Sequence, residues 1–63
     1  MQPYQERVVE EAGQLLDKIE KLQKFIPTET FNLLPKDEKE RLHAQVATMI
    51  DYHNILCERI KFF

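Results

Sequence analysis

Three features of this 63-residue sequence predict an all-α fold, an antiparallel two-helix hairpin with a short helical turn in its connection. Apolar residues recur in alternating steps of four and three from Val8 to Ile26, and again from Leu42 to Phe63. That is the period of a helix that buries one stripe against a neighbour. Two prolines, Pro27 and Pro35, bracket the segment between the two patterns. The second pattern also carries more apolar surface than one neighbouring helix can cover, which adds self-association to the expected fold.

Helix one is expected over about Pro3–Phe25. Pro3 suits the first turn, where its missing N–H is no loss, and Glu6, Glu10 and Glu11 lie toward the positive end of the helix dipole. Lys18, Lys21 and Lys24 lie toward the negative end. The apolar seam reads Val8, Ala12, Leu15, Ile19, Leu22, Ile26, as for a helix packed near-antiparallel on another. Pro27 disfavours helix at Ile26 and ends the element. Gly13, the only glycine, sits mid-helix and costs about 1 kcal/mol relative to alanine. It is read either as a surface glycine or close helix crossing, or as backbone opened to a ligand or a second copy.

In the connection, Thr28 is the expected N-cap of a turn of helix through Glu29 to Leu33. Phe31, with Leu33 or Leu34, is expected to plug the end of the hairpin. Pro35 then opens helix two, which continues to the C-terminus with Arg59 and Lys61 near its last carbonyls. Its seam is Leu42, Val46, Met49, His53, Leu56, Ile60, Phe63. A second stripe begins polar with Gln45 and Thr48 and turns largely apolar through Tyr52, Ile55, Arg59 and Phe62. No third long helix is available to cover it. Residues 1–63 are read as a single helical-hairpin domain that forms a homo-oligomer, since scaffolds this small usually need a disulfide, a metal or a partner copy.

Composition narrows the function. One cysteine, Cys57, allows no intrachain disulfide, and its apolar flanks predict a core residue. No apolar run approaches the roughly 20 residues of a membrane span. The polar N-terminal residues lack a signal-peptide core, so a reducing cytoplasm is expected. Nine Lys and Arg stand against eleven Asp and Glu, a net charge of −2. This argues against a duplex nucleic-acid binder, which needs a broad basic face, but leaves room for a compact anion pocket.

Two stripes hold the candidate binding residues. On helix one, Tyr4, Arg7, Glu11, Gln14, Lys18, Lys21 and Phe25 form a continuous row beside the seam. Aromatic rings stack on nucleobases, and Lys and Arg pair with phosphates. The alternative is a solvated face on which Glu11 partners the cations. On helix two, Arg59 lies between Ile55 and Phe62, where a buried charge needs a partner. That partner is a carboxylate of a neighbouring subunit or a phosphate. Tyr52 and Thr48 would extend the same row with a ring and a hydroxyl, unless they belong to a solvated stretch of helix. His53 and Cys57, four residues apart, fall short of the four ligands of a structural zinc, and His53 reads as a core histidine. No glycine-rich phosphate loop, serine elbow or carboxylate pair is visible, so no enzyme, no metal and no cofactor are expected.

The run Tyr4-Gln5-Glu6-Arg7-Val8-Val9-Glu10-Glu11, the later Leu16-Asp17-Lys18-Ile19-Glu20-Lys21-Leu22 with Phe25-Ile26, and the closing Leu56-x-x-Arg59-Ile60 resemble the phage anti-CBASS nucleotide sponges. Those proteins share a helical-hairpin domain with a class of Thoeris anti-defence sponges. The resemblance covers nearly the whole chain, through short motifs whose order and spacing match. It implies a homohexamer in the host cytoplasm that sequesters cyclic oligonucleotide second messengers without cleaving them and so silences CBASS effectors. It further implies cyclic-dinucleotide pockets between paired subunits, with Tyr4 on a base and Lys18, or else Lys21, on a phosphate. Cyclic trinucleotides would sit where three subunits meet, on Arg59. The reading from a different class is a helical adaptor or inhibitor that docks on a host protein through the second stripe of helix two. A purely structural coiled-coil brace is the third.

Overall fold

The computed structural model describes residues 1–63 and contains three helices, α1 (Pro3–Phe25), α2 (Glu29–Asn32) and α3 (Lys36–Lys61). The two long helices pack along one another as a hairpin, in a rod 46 × 14 × 14 Å. The helix boundaries agree with the pattern read from the sequence.

At the start of α1 the backbone N–H of Gln2 donates to Gln5 Oε1 at 2.8 Å, and Pro3 occupies the first turn. This reach-back satisfies a backbone donor that the helix itself leaves free. At the other end Ile26 keeps right-handed helical angles, and its N–H donates to the Leu22 carbonyl at 3.0 Å. The expected loss of helical backbone before Pro27 therefore does not reach Ile26. Its seam position, half-buried, and its hydrogen bond outweigh the pre-proline preference. Thr28 ties the two neighbouring helices together. Its hydroxyl donates to the Phe25 carbonyl at 2.6 Å and accepts from the Phe31 N–H at 3.2 Å.

Phe31 plugs the closed end of the hairpin. It is buried, with its ring edge-on to Phe25 at 5.8 Å and to His43 at 5.5 Å. Of the two leucines offered as companions, Leu34 is half-buried and Leu33 is 78% exposed. Aromatic pairs of this edge geometry contribute about 0.5–1.5 kcal/mol beyond their area.

Both seams form the interface expected of them. Val8, Ala12 and Ile19 of α1 and Val46 and Leu56 of α3 are buried, and Leu15, Leu22, Leu42, Met49, His53 and Ile60 are half-buried between them. Leu56, 1% exposed, lies against Val8 and Ala12 and is the best-packed side chain of the molecule. Phe63 lies past the end of α3 and stays partly exposed, its ring against Tyr4. Cys57 contradicts the expectation of a core thiol, because it is exposed. One residue beyond Leu56 is about 100° round the helix, which takes Cys57 off the seam. Its sulfur instead lies 3.7–3.8 Å from the ring nitrogens of His53, one turn back on the same helix.

Gly13 serves no close helix crossing within the chain, since a Cβ added there would meet nothing within 4 Å. Gly13→Ala is accordingly expected to stabilise the hairpin by about 1 kcal/mol, read as a raised urea midpoint by circular dichroism. Leu56→Ala is expected to cost about 2–5 kcal/mol, a large part of the stability of so small a domain, in the same measurement.

Candidate nucleotide-binding face

The hairpin places the two sequence-predicted stripes side by side. Each residue of the α1 row immediately precedes a seam residue: Arg7 before Val8, Glu11 before Ala12, Gln14 before Leu15, Lys18 before Ile19, Lys21 before Leu22. The same holds in α3, with Gln45 before Val46, Thr48 before Met49, Tyr52 before His53, Ile55 before Leu56 and Arg59 before Ile60. A residue that precedes the seam lies about 100° back round its helix. When two helices face each other antiparallel, that rotation carries both rows to the same side of the hairpin. The Tyr4–Phe63 contact, ring centroids 5.9 Å apart and 72° between planes, lies on this side and anchors its register.

The register follows from two contacts, Leu56 against Val8 and Ala12, and Phe63 against Tyr4. Continued along the rod, these set Arg7 across from Arg59, Gln14 across from Tyr52, and Lys18 across from Thr48. Lys21 then faces Gln45. Tyr4 and Tyr52 are both substantially exposed, and so are Ile55 at 60% and Phe62 at 75%. One broad face therefore carries aromatic rings, five cations (Arg7, Lys18, Lys21, Arg41, Arg59) and the carboxylates Glu11 and Glu38, the latter paired with Arg41. Glu6, Glu10, Asp17, Glu40, Asp51 and Glu58 fall on the outer backs of the helices, about half a turn from the seams. A chain of net charge −2 thus presents a locally positive face.

The cations differ in how free they are. Lys21 Nζ pairs with Asp17 Oδ2 at 3.0 Å, both side chains largely exposed. Arg41 pairs with Glu38 at 3.0 Å, and these are the only two ion pairs of the chain. Arg7, Lys18 and Arg59 have no carboxylate partner, so Glu11 does not partner the cations of its own row. Lys18 is better placed than Lys21 to take an external anion. Thr48 donates its hydroxyl to the Ala44 carbonyl at 3.0 Å, so its proton is already engaged and its oxygen is left as an acceptor.

Distance divides the predicted residues into two groups. Tyr4 and Lys18 are fourteen positions apart on one helix, which is roughly 21 Å at about 1.5 Å per residue. The two therefore do not form one compact site on a single chain. Tyr4, Arg7 and Arg59 gather at the open end of the hairpin, whereas Lys18, Lys21 and Thr48 gather near its middle, with Tyr52 between the groups. No concave pocket is found on the single chain, and no cluster of three His, Cys, Asp or Glu side chains is placed to hold a metal. No helix is long and apolar enough to cross a membrane. The face-to-face pairing of Arg7 with Arg59 was not visible in the sequence, because it depends on hairpin register.

The fold and this face define a small helical binding module with a basic-aromatic surface. More particularly, the chain belongs to the Sequestin family, whose match spans residues 2–62. Membership makes it one of a family of sequestering proteins, and the sponge resemblance read from the sequence is borne out at that level. No curated protein and no solved structure matched the chain.

The exposed Lys21–Asp17 pair is expected to matter little. Asp17→Ala should shift the urea midpoint by less than the equivalent of about 0.5 kcal/mol.

Proposed function

We propose that this protein sequesters cyclic oligonucleotide second messengers, cyclic dinucleotides and trinucleotides, without cleaving them. It would act in the host cytoplasm as a phage anti-defence protein that keeps CBASS effectors from their activator. The observation that carries this reading is the positive, aromatic face on an otherwise acidic chain, in a protein of a sequestering family. Rings for bases and unpaired cations for phosphates are what a polyanionic nucleotide needs.

The separation of Tyr4 from Lys18 supports assembly as part of the mechanism. If Tyr4 stacks on a base and Lys18 binds a phosphate of the same ligand, a compact site draws the two from different copies. The exposed Ile55, Phe62 and Tyr52 supply apolar surface for such copies to bury. Each standard-size association interface removes roughly 800 Å² per partner. A homohexamer would provide both pair interfaces for dinucleotides and three-fold junctions for trinucleotides, with Arg59 and its symmetry mates at the latter. Thr48 and Tyr52 would line the same row.

In this reading the work is stoichiometric, so the protein is not an enzyme and needs no cofactor. Affinity must supply what turnover would otherwise give: nanomolar capture requires about −12 kcal/mol from contacts shared among subunits. Ligand and assembly stabilise each other, because a site built at an interface exists only in the oligomer.

Isothermal titration calorimetry against cyclic di- and trinucleotides, and against nucleotides with a single base, tests the proposal. Tight binding, with intact ligand recovered on heating, is expected. Tyr4→Ala should abolish dinucleotide binding and spare trinucleotides, and Arg59→Ala should do the reverse. Loss of both ligands in either variant, with assembly unchanged by sedimentation, would refute the two-site assignment. A monomer that ignores the whole panel would point instead to an adaptor docked on a host protein.

A further inference from the structure

His53 and Cys57 are a pair of metal-ligating side chains brought into contact, and the candidate nucleotide-binding face does not use them. They stand one helical turn apart on α3, with the Cys57 sulfur 3.7 Å from His53 Nδ1 and 3.8 Å from Nε2. Neither group has another hydrogen-bond partner. Cys57 is exposed and His53 is half-buried at the seam. A sulfur and a nitrogen bound to one tetrahedral zinc, at about 2.3 Å and about 2.0 Å, stand roughly 3.5 Å apart. The pair is already close to the separation that a shared ion would impose.

One thiolate and one imidazole make only half a site. Structural zinc takes four ligands, and no third His, Cys, Asp or Glu of the chain is placed to join these two. His43 lies ten positions away, roughly 15 Å along α3, with its ring against Phe31 at 5.5 Å. The remaining ligands must come from another molecule, and a second copy brings the same two. Two thiolates and two neutral imidazoles also cancel the charge of a divalent ion.

The surface around the pair suits a second copy. A residue that follows the seam lies about 100° on round its helix, on the side away from the candidate nucleotide-binding face. On α1 these residues are Val9, Gly13 and Leu16, and on α3 Ala47, Ile50 and Cys57, with Asn54 the one amide. None of them is charged, from Lys61 at one end of the row to Glu20 at the other. Val9 and Leu16 are 41% and 42% exposed, and the space above Gly13 is open, since an added Cβ would meet nothing within 4 Å. A neutral metal centre leaves no unpaired charge on such a surface.

We infer that His53 and Cys57 of two copies together form one tetrahedral site for a divalent ion of the zinc class, bracing the assembly through the face opposite the candidate nucleotide-binding face. Mixed sulfur and nitrogen ligands in tetrahedral array select zinc over magnesium or calcium. The brace is independent of what the other face binds.

The metal-free full chain, kept reduced, is titrated with cobalt(II) and followed by the visible bands of thiolate-bound tetrahedral cobalt. Sedimentation is run in parallel with and without zinc(II). Saturation at one ion per two chains is expected, with the bands lost on adding zinc and with an assembly that survives dilution better when zinc is present. Cys57→Ser and His53→Gln are each expected to weaken binding at least about 100-fold, since changes beyond the ligands themselves already cost about 10–100-fold. Cys57 is exposed, so its serine variant keeps the hairpin packing, as circular dichroism checks. His43→Gln serves as the control and should bind as wild type does.

One ion per chain with assembly unchanged would overturn the shared site and leave chelation by a single pair. Absence of the cobalt bands, or bands that Cys57→Ser leaves intact, would overturn the site altogether.

Discussion

Everything else in this molecule depends on the contact of Leu56 with Val8 and Ala12. It is the one place where an apolar side chain is fully enclosed, between the small Ala12 and the β-branched Val8. Full burial of a leucine contributes about 1.5–3 kcal/mol, and no other contact in the hairpin is so complete. The energy matters less than the register it selects. A slip by one helical turn would move every α3 residue about 5 Å along α1. The rows of the candidate face would then be matched differently, and Arg7 would no longer stand opposite Arg59.

The same register sorts charge. A helix surface offers room for carboxylates anywhere off the seam, yet Glu6, Glu10, Asp17, Glu40, Asp51 and Glu58 all fall on the outer backs. Glu11 enters the face that holds Arg7, Lys18, Lys21 and Arg59, and Glu38 enters it paired with Arg41. The sorted face can concentrate an anion although the chain as a whole is acidic. The price of that sorting is small, because both helix backs are solvated and their like charges are screened.

Much of this was legible beforehand because helices express themselves in local spacing. Both seams, the Thr28 cap, the Phe31 plug and the bounds of α1 and α3 follow from period, proline position and capping chemistry. Cys57 looked like core from its apolar neighbours in sequence, but one step along a helix is a quarter-turn in space, and the seam passes through Leu56 instead. Ile26 keeps helical angles where the following proline argues against them, because burial and a hydrogen bond to Leu22 act on that residue together. Leu33 and Leu34 are chemically identical, and only the path of the connection decides that Leu34 turns inward.

The sequence by itself determined the elements, the seams, the rows of candidate binding residues and the family, since each is written in short-range order along one chain. It also left the excess apolar surface of α3 without an intrachain cover, and Ile55 and Phe62 are indeed exposed. Tertiary structure alone decided which rows share a face and which α1 residue stands across from which α3 residue. Those properties arise from antiparallel packing and register. They join residues some fifty positions apart in sequence, a relation that the local period of a helix does not encode.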